Sequence, residues 1–368
     1  MLEEKNGLTQ EPSQETSVEV EEIQDKNTEI SVQSVENEEI NSIETPTKEI
    51  IENKGLFIVK SSNEWIEEAK KRPIPKMLFD KLWFENELCI LFADTNVGKS
   101  LLAVQIGNSI SKEQAINNFE MDTEKQKVLY FDFELSNKQF QIRYCDDNDS
   151  QNCYAFDDNF MRIEFNTDME LPKKTKFEDY LIQELERVVS DTKAKVVIID
   201  NITYLKDGTE KANDALPLMK QLKFLKQKYD LSILALAHTP KRDLSKPLIR
   251  NDLQGSKMLM NLCDSSFAIG ESHADKSLRY IKQIKQRNCE QLYDADNVIV
   301  CEIDKLDNFL QFKFIGYGRE FEHLKPQSDD DKVKKHQEAA ELKEQGLSNC
   351  EIARRIGKSE KTIRNWLK

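Results

Sequence analysis

The sequence predicts an α/β protein, a doubly wound and mainly parallel sheet extended by antiparallel strands, with a small all-α unit at the C-terminal end. Three observations predict it. Continuous apolar runs at residues 88–93, 128–131, 196–199 and 233–237 alternate with helical patterns, as strands buried on both faces do. Beyond about residue 270 the helical patterns stop and strand patterns follow one another, at about 278–285, 297–303 and 309–314 after one at 266–269. The stretch from His336 onward instead reads as three short helices separated by turn signals.

The chain has 368 residues and a formal net charge of −14, a length that suggests two or three units. Residues 1–54 hold 15 acidic and 4 basic side chains and no aromatic residue. Such a stretch cannot bury enough apolar surface to offset its ordering entropy, so a disordered acidic tail is expected over 1–54. The clearest basic excess lies from Lys332 to the end, with 10 basic and 5 acidic residues, which is where a polyanionic partner is expected. The seven cysteines include no C-x-x-C pair, so neither a disulfide framework nor a zinc site is implied. No apolar run approaches the roughly 18 residues needed to span a bilayer, and the N-terminus lacks a basic-then-apolar leader. A cytoplasmic protein without membrane contact is expected.

Taking the elements in order, a collar with Trp65, Ile66, Pro73, Pro75, Met77-Leu78-Phe79 and Leu82-Trp83-Phe84 has the bulk to pack onto a core. The run Leu88–Phe92 then leads through Ala93, Asp94, Thr95, Asn96, Val97 and Gly98 into Lys99, Ser100 and Leu101, where an amphipathic helix begins. Strand, loop and helix in this order aim backbone N–H groups at an anion held at a helix N-terminus, so residues 93–101 are the candidate nucleotide-binding loop. Lys99 would reach the β- and γ-phosphates of ATP, and Ser100 would ligate Mg²⁺. Ala93 stands where the usual pattern has glycine, so the loop must enter its turn with φ below zero there or bear strain. A second Gly-Lys-Ser, Gly357-Lys358-Ser359, has no strand before it and is read as a decoy.

The next apolar run ends at Glu134, where a parallel strand meets its loop and ligands bind in open sheets. The run at 196–199 ends at Asp200, the position at which a carboxylate holds Mg²⁺ directly or through water. The run at 233–237 ends at His238, followed by a basic loop with Lys241, Arg242, Lys246 and Arg250 that closes at Gln254-Gly255-Ser256. The strand at 278–285 runs out into Lys285, Gln286 and Arg287.

With these residues in this order, the body from about 56 to 320 resembles the RecA-like ATPases, and within them the branch of plasmid RepA-type and DnaB-type hexameric helicases. The resemblance implies that Glu134 positions the attacking water, that Asp200 is the Walker B aspartate, and that His238 senses the γ-phosphate. It also implies that Lys285 and Arg287 reach the nucleotide of a neighbouring subunit, and that the basic loop faces single-stranded DNA in a ring channel. Plainer roles stand beside these: a helix N-terminal carboxylate for Glu134, a structural histidine at 238, a surface ion pair for Arg287 and a solvated face for the basic loop.

In the tail, His336 to Gln345 form a helix closed by Gly346, Ser348 and Glu351 make a capping box for a second, and Ser359 caps a third. The pattern resembles a helix-turn-helix of the resolvase or transposase type. Ile352, Ala353, Ile356, Ile363, Trp366 and Leu367 would form its core and leave Lys361, Thr362, Arg364 and Asn365 for duplex DNA; a helical pair for protein contacts is the plainer role.

The expected organisation is therefore a tail over 1–54, an ATPase domain over 55–322, a linker over 323–335 and a helix-turn-helix over 336–368. The expected function is an ATP-dependent DNA helicase or translocase of a mobile element, plasmid or phage, assembled as a homo-oligomer, a hexamer by the resemblance. The alternative is a sequence-specific DNA-binding regulator whose ATPase is a switch.

Overall fold

The computed structural model describes residues 55–173, 175–205, 212–253, 256–326 and 329–367; the acidic tail expected over 1–54 and the loop closure at 254–255 lie outside them. The chain divides into two units, Met1–Lys71 and Arg72–Lys368. In the first, α1 (Ser62–Lys70) opens on a capping box: Ser61 Oγ accepts from the Glu64 N–H, and the Glu64 carboxylate accepts from the Ser61 N–H. None of its residues is buried.

In the second unit a hairpin of β1 (Met77–Phe79) and β2 (Trp83–Phe84) precedes β3 (Leu88–Ala93), α2 (Lys99–Lys112), β4 (Val128–Asp132), α3 (Asn137–Arg143) and β5 (Phe160–Ile163). There follow α4 (Phe177–Thr192), β6 (Val196–Asp200), α5 (Ala212–Tyr229), β7 (Ser232–His238), α6 (Ser256–Leu262) and β8 (Ser265–Glu271). Then come β9 (Leu278–Lys285), β10 (Val298–Leu306), β11 (Phe309–Gly318), α7 (Glu320–His323), α8 (Asp329–Glu344), α9 (Asn349–Ile356) and α10 (Glu360–Trp366).

Nine strands form one sheet in the order β11-β10-β9-β8-β3-β7-β6-β4-β5. Neighbours from β8 to β5 run parallel, and β9, β10 and β11 extend the sheet antiparallel. This is the doubly wound, mainly parallel architecture with an antiparallel extension that the apolar runs predict. Its cause is visible in β3: Leu88, Ile90 and Phe92 join the layer that contains α4 and α5, whereas Cys89, Leu91 and Ala93 join the layer that contains α2. A strand covered on both sides has no polar face to alternate.

Leu78, Phe79, Leu82 and Trp83 of the collar are fully buried in the α2 layer. The phosphate-loop helix is also tied to the end of the sheet, because the Gln105 carboxamide donates to the Phe312 carbonyl (3.0 Å) and accepts from its N–H (2.8 Å). Two features depart from the sequence reading. The strand β5 went unseen because its four residues include Arg162 and make no apolar run. Cys145 and Cys153, with no motif spacing, face each other across an isolated antiparallel bridge and are disulfide-bonded around the polar turn between them.

The three C-terminal helices enclose their own core of Ala339, Leu342, Ile352, Ala353, Ile356 and Ile363, against which Leu347, Trp366 and Leu367 pack. Helix α8 begins at Asp329, inside the stretch expected as linker. In the second Gly-Lys-Ser, Gly357 closes α9 with φ +70° and Ser359 caps α10 by accepting from the Thr362 N–H. That triplet is a turn between helices. No described helix is long and apolar enough to cross a membrane.

Candidate nucleotide site

The ends of β3, β4, β6 and β7 meet at one edge of the sheet. Ala93, buried as the last residue of β3, pairs with His238 and Ile269 and does not have a positive φ, so the departure from glycine is accommodated without strain. The loop turns instead at Asn96 (φ 62°) and Gly98 (φ 111°). Gly98 is required twice over. Its φ suits glycine, and an added Cβ would lie 2.9 Å from the Phe312 ring. Thr95 and Asn96 are exposed at the crest, so the loop is open to a ligand.

Lys99 follows directly, with its ammonium donating to the Ala93 carbonyl (3.1 Å) and the Asp94 carbonyl (3.0 Å) and lying 3.1 Å from His238 Nδ1. Burial holds its pKa below the usual lysine value, opposed by Asp200, Glu134 and Asp94. An ammonium has only protons to give, so His238 Nδ1 accepts and Nε2–H points to Glu134 Oε1 at 3.4 Å. Glu134 Oε1 also accepts from Asn201 Nδ2 (2.8 Å), and Asn201 Oδ1 is held by the Thr203 N–H and hydroxyl. The hydrogen bond from His238 holds the Glu134 carboxyl below the usual carboxylate range; burial opposes it and Asn201 adds to it.

Asp200 is fully buried. Tyr130 donates to its Oδ2 at 2.7 Å, while Oδ1 has no hydrogen-bond partner. Burial pushes its pKa up to about 6, against the lowering effect of the Ser100 and Tyr130 hydroxyls. A buried carboxylate oxygen without a partner, beside a serine hydroxyl, suits a divalent cation.

At this edge Asp132, Arg162, Asn201 and Thr239 were given no role by the sequence reading. Asp132 Oδ1 accepts from the N–H groups of Glu134 and Leu135, which fixes the turn carrying Glu134, and Asp132 Oδ2 pairs with Arg162 at 2.8 Å. Asp94 accepts from the Thr239 hydroxyl and pairs with Arg242 Nε at 3.1 Å. Asn201 and Thr239 are the residues directly after Asp200 and His238, and that adjacency was the available signal.

The candidate residues expected elsewhere are placed as follows. Arg242, expected to face DNA, is turned inward to Asp94 and its side chain is only 7% exposed, because a loop carboxylate offers it a partner close at hand. Lys241 is exposed, Lys246 lies 3.8 Å from Asp243, and Arg250 donates to the Ile284 carbonyl. Lys285 and Arg287 lie at the opposite edge of the sheet, since Lys285 pairs with Ser266 near the start of β8, whereas Ala93 pairs with Ile269. Lys285 is committed within its own chain, donating to the carbonyls of Met260 and Cys263 at 2.6 Å each, where α6 ends. Arg287 pairs with Asp264 at 3.0 Å and remains 51% exposed. On α10, Lys361 and Asn365 are exposed, Arg364 pairs with Glu360 at 2.7 Å, and Thr362 serves the Ser359 cap through its N–H.

A family model described as the AAA domain matches residues 59–243, half of the chain. The chain belongs to the AAA domain family. The AAA-domain chain is thereby a P-loop ATPase, a class that uses nucleotide and typically Mg²⁺. No curated protein matches it. Among solved structures, a KaiC-like protein of Pyrococcus horikoshii is similar to the AAA-domain chain at 13% sequence identity and a TM-score of 0.41, over 62% of this chain and 90% of that one.

Proposed function

We propose that the chain is an ATP-driven motor that assembles as a ring on DNA and is anchored by its C-terminal helices. The observation that carries the catalytic half is the hydrogen-bonded line Lys99–His238–Glu134–Asn201, which links the phosphate loop to a carboxylate at the next strand end. In this reading residues 93–101 bind the phosphates of ATP and Lys99 leaves the Ala93 and Asp94 carbonyls to meet them. Glu134, kept ionised, orients the attacking water, and His238 reports the γ-phosphate. Ser100 and Asp200 would hold Mg²⁺, which neutralises charge on the β- and γ-phosphates when bound.

The placement of Arg287 supports a shared site. It is half exposed on the sheet edge away from its own phosphate loop, so it can serve a nucleotide only across a subunit boundary. Lys285 would have to leave its two carbonyls to join it. For the anchor, Lys361, Thr362, Arg364 and Asn365 lie on the third helix of a unit with its own core, which suits a helix-turn-helix reading duplex DNA.

One observation favours the alternative, a DNA-binding regulator with an ATP switch: Arg242 is engaged by the phosphate loop and is not free for a strand in a channel. Strand displacement on forked duplexes with MgATP separates the two. Displacement by the wild type and not by Lys99→Ala supports the motor. Hydrolysis without displacement on forks of either polarity, together with ATP-dependent binding to one duplex site, supports the regulator.

A further inference from the structure

Arg242 stands between the phosphate loop and the C-terminal segment. Its Nε meets Asp94, and its Nη1 donates to the Lys246 carbonyl at 3.3 Å. The stretch from 244 to 248 is pinned from the far side. The Lys325 N–H donates to the Leu244 carbonyl (3.0 Å), and the Leu248 N–H donates to Glu320 Oε1 (2.6 Å). Lys282 donates to the Leu248 carbonyl (2.8 Å) and pairs with Glu320 at 2.5 Å, both side chains being buried. Lys246 also lies against the turn between α9 and α10, where a Cβ on Gly357 would be 3.5 Å from its ammonium. A chain of polar contacts thus runs from Asp94 to the residues that lead into the C-terminal helices.

One group in this neighbourhood is left over. The Tyr280 hydroxyl is buried without a hydrogen-bond partner, in the field of Glu320 and Arg242. Its ring lies against Gly270, where an added Cβ would come within 2.1 Å of it, so the ring cannot retreat in that direction. Glu320 and Arg242 already stand beside this hydroxyl, so a shift of either one changes its surroundings.

We propose that Arg242 is a positioning residue of the nucleotide site that carries the state of the phosphate loop to the C-terminal helices. The proposal rests on reading residues 93–101 as the nucleotide site. Bound phosphates place several negative charges beside Asp94. They repel its carboxylate and attract the guanidinium, so Arg242 trades Asp94 or the Lys246 carbonyl for phosphate. The 244–248 stretch follows, and with it Glu320, Lys325 and the start of α8.

The test is hydrogen exchange on the full chain with and without a saturating, slowly hydrolysed ATP analogue and Mg²⁺, with occupancy read by a fluorescent nucleotide. In the wild type the analogue should alter exchange both in 242–250 and in 320–345, by about twofold or more in rate. In Glu320→Gln the analogue should bind as in the wild type and change 242–250 while 320–345 no longer responds. Arg242→Gln should lose the response in both segments at full occupancy. Tyr280→Phe, which removes the hydroxyl between Glu320 and Arg242, should show a weakened response in 320–345 at full occupancy, which a merely structural hydroxyl would not produce. A wild-type response in Glu320→Gln and Tyr280→Phe, or no change in 320–345 of the wild type at full occupancy, overturns the proposal. If the wild type binds no analogue, the nucleotide-site reading fails instead. Should Arg242→Gln not fold, the other two variants decide.

Discussion

Asp200 shows how a single side chain can be costly to the fold and, in the proposed function, necessary to the site. Its pKa is raised to about 6 by burial, above the roughly 3.9 of an unfolded aspartate. The folded chain therefore holds a proton that the unfolded chain has lost between about pH 4 and 6, and the stability tied to this group falls as pH rises through that window. Above it the cost of the buried charge is fully present until a cation meets Oδ1. Asp200→Asn should accordingly raise the melting temperature at pH 8 in the absence of Mg²⁺, by on the order of 1–3 kcal/mol in stability, and abolish Mg²⁺-dependent hydrolysis. Calorimetry at pH 5 and pH 8 with a turnover assay checks both, and the stabilisation should be the smaller at pH 5. Glu134 differs, since His238 and Asn201 keep it ionised. Glu134→Gln should bind ATP with near wild-type affinity and hydrolyse it about 10² to 10⁴ times more slowly, as loss of a water-positioning base does. Normal turnover in single-turnover kinetics would assign the role to another carboxylate.

At the scale of elements, the connection from β3 to α2 was legible because its chemistry is local: an apolar run, a glycine, a lysine and a serine, then a helix. Its one irregularity, Ala93, is resolved by backbone geometry, as the turn begins three residues later at Asn96. Ala93→Gly should therefore leave nucleotide affinity within about threefold of the wild type while costing roughly 0.5–1 kcal/mol of stability. Nucleotide titration and thermal melts measure the two effects, and a large gain in affinity would mean that the alanine does constrain the loop. The ends of β4, β6 and β7 were legible for the same reason, each apolar run closing on Glu134, Asp200 or His238. What surrounds them was not. Arg162 reaches Asp132 only because β5 pairs with β4, and Arg242 reaches Asp94 only because β7 lies beside β3. Such pairings depend on strand order, which hydrophobic periodicity does not encode. A cation in a polar loop looks the same in sequence whether it faces solvent or a carboxylate of a neighbouring loop.

For the whole molecule, the proposed shared site, with Arg287 far from the phosphate loop of its own chain, would make activity depend on assembly. Arg287→Ala should bind ATP and hydrolyse it poorly, and mixing it with inactive Lys99→Ala should restore part of the turnover, because each supplies the half the other lacks. No rescue at any ratio, with both proteins folded and associated, would refute the shared site. The C-terminal helices enclose their own core, so a chain ending at Pro326 should keep basal ATPase and lose site-selective duplex binding. Within the full chain, Arg364→Ala or Asn365→Ala should cost about 1–3 kcal/mol at the preferred site if either reads a base edge. A salt series of titrations on specific and scrambled duplexes checks this, and equal affinities for the full and shortened chains would leave the helices as a protein-contact module. The hold of Gln105 on Phe312 bears on how copies can meet. β11 is the terminal strand of the sheet, and its outward N–H and C=O at Phe312 are the groups through which a foreign strand would add itself. With both taken by a side chain of α2, the sheet cannot continue from one copy into the next at that point. In the proposed ring, copies meeting at this point would join through side-chain surfaces, which can slide and re-form without unzipping a backbone ladder.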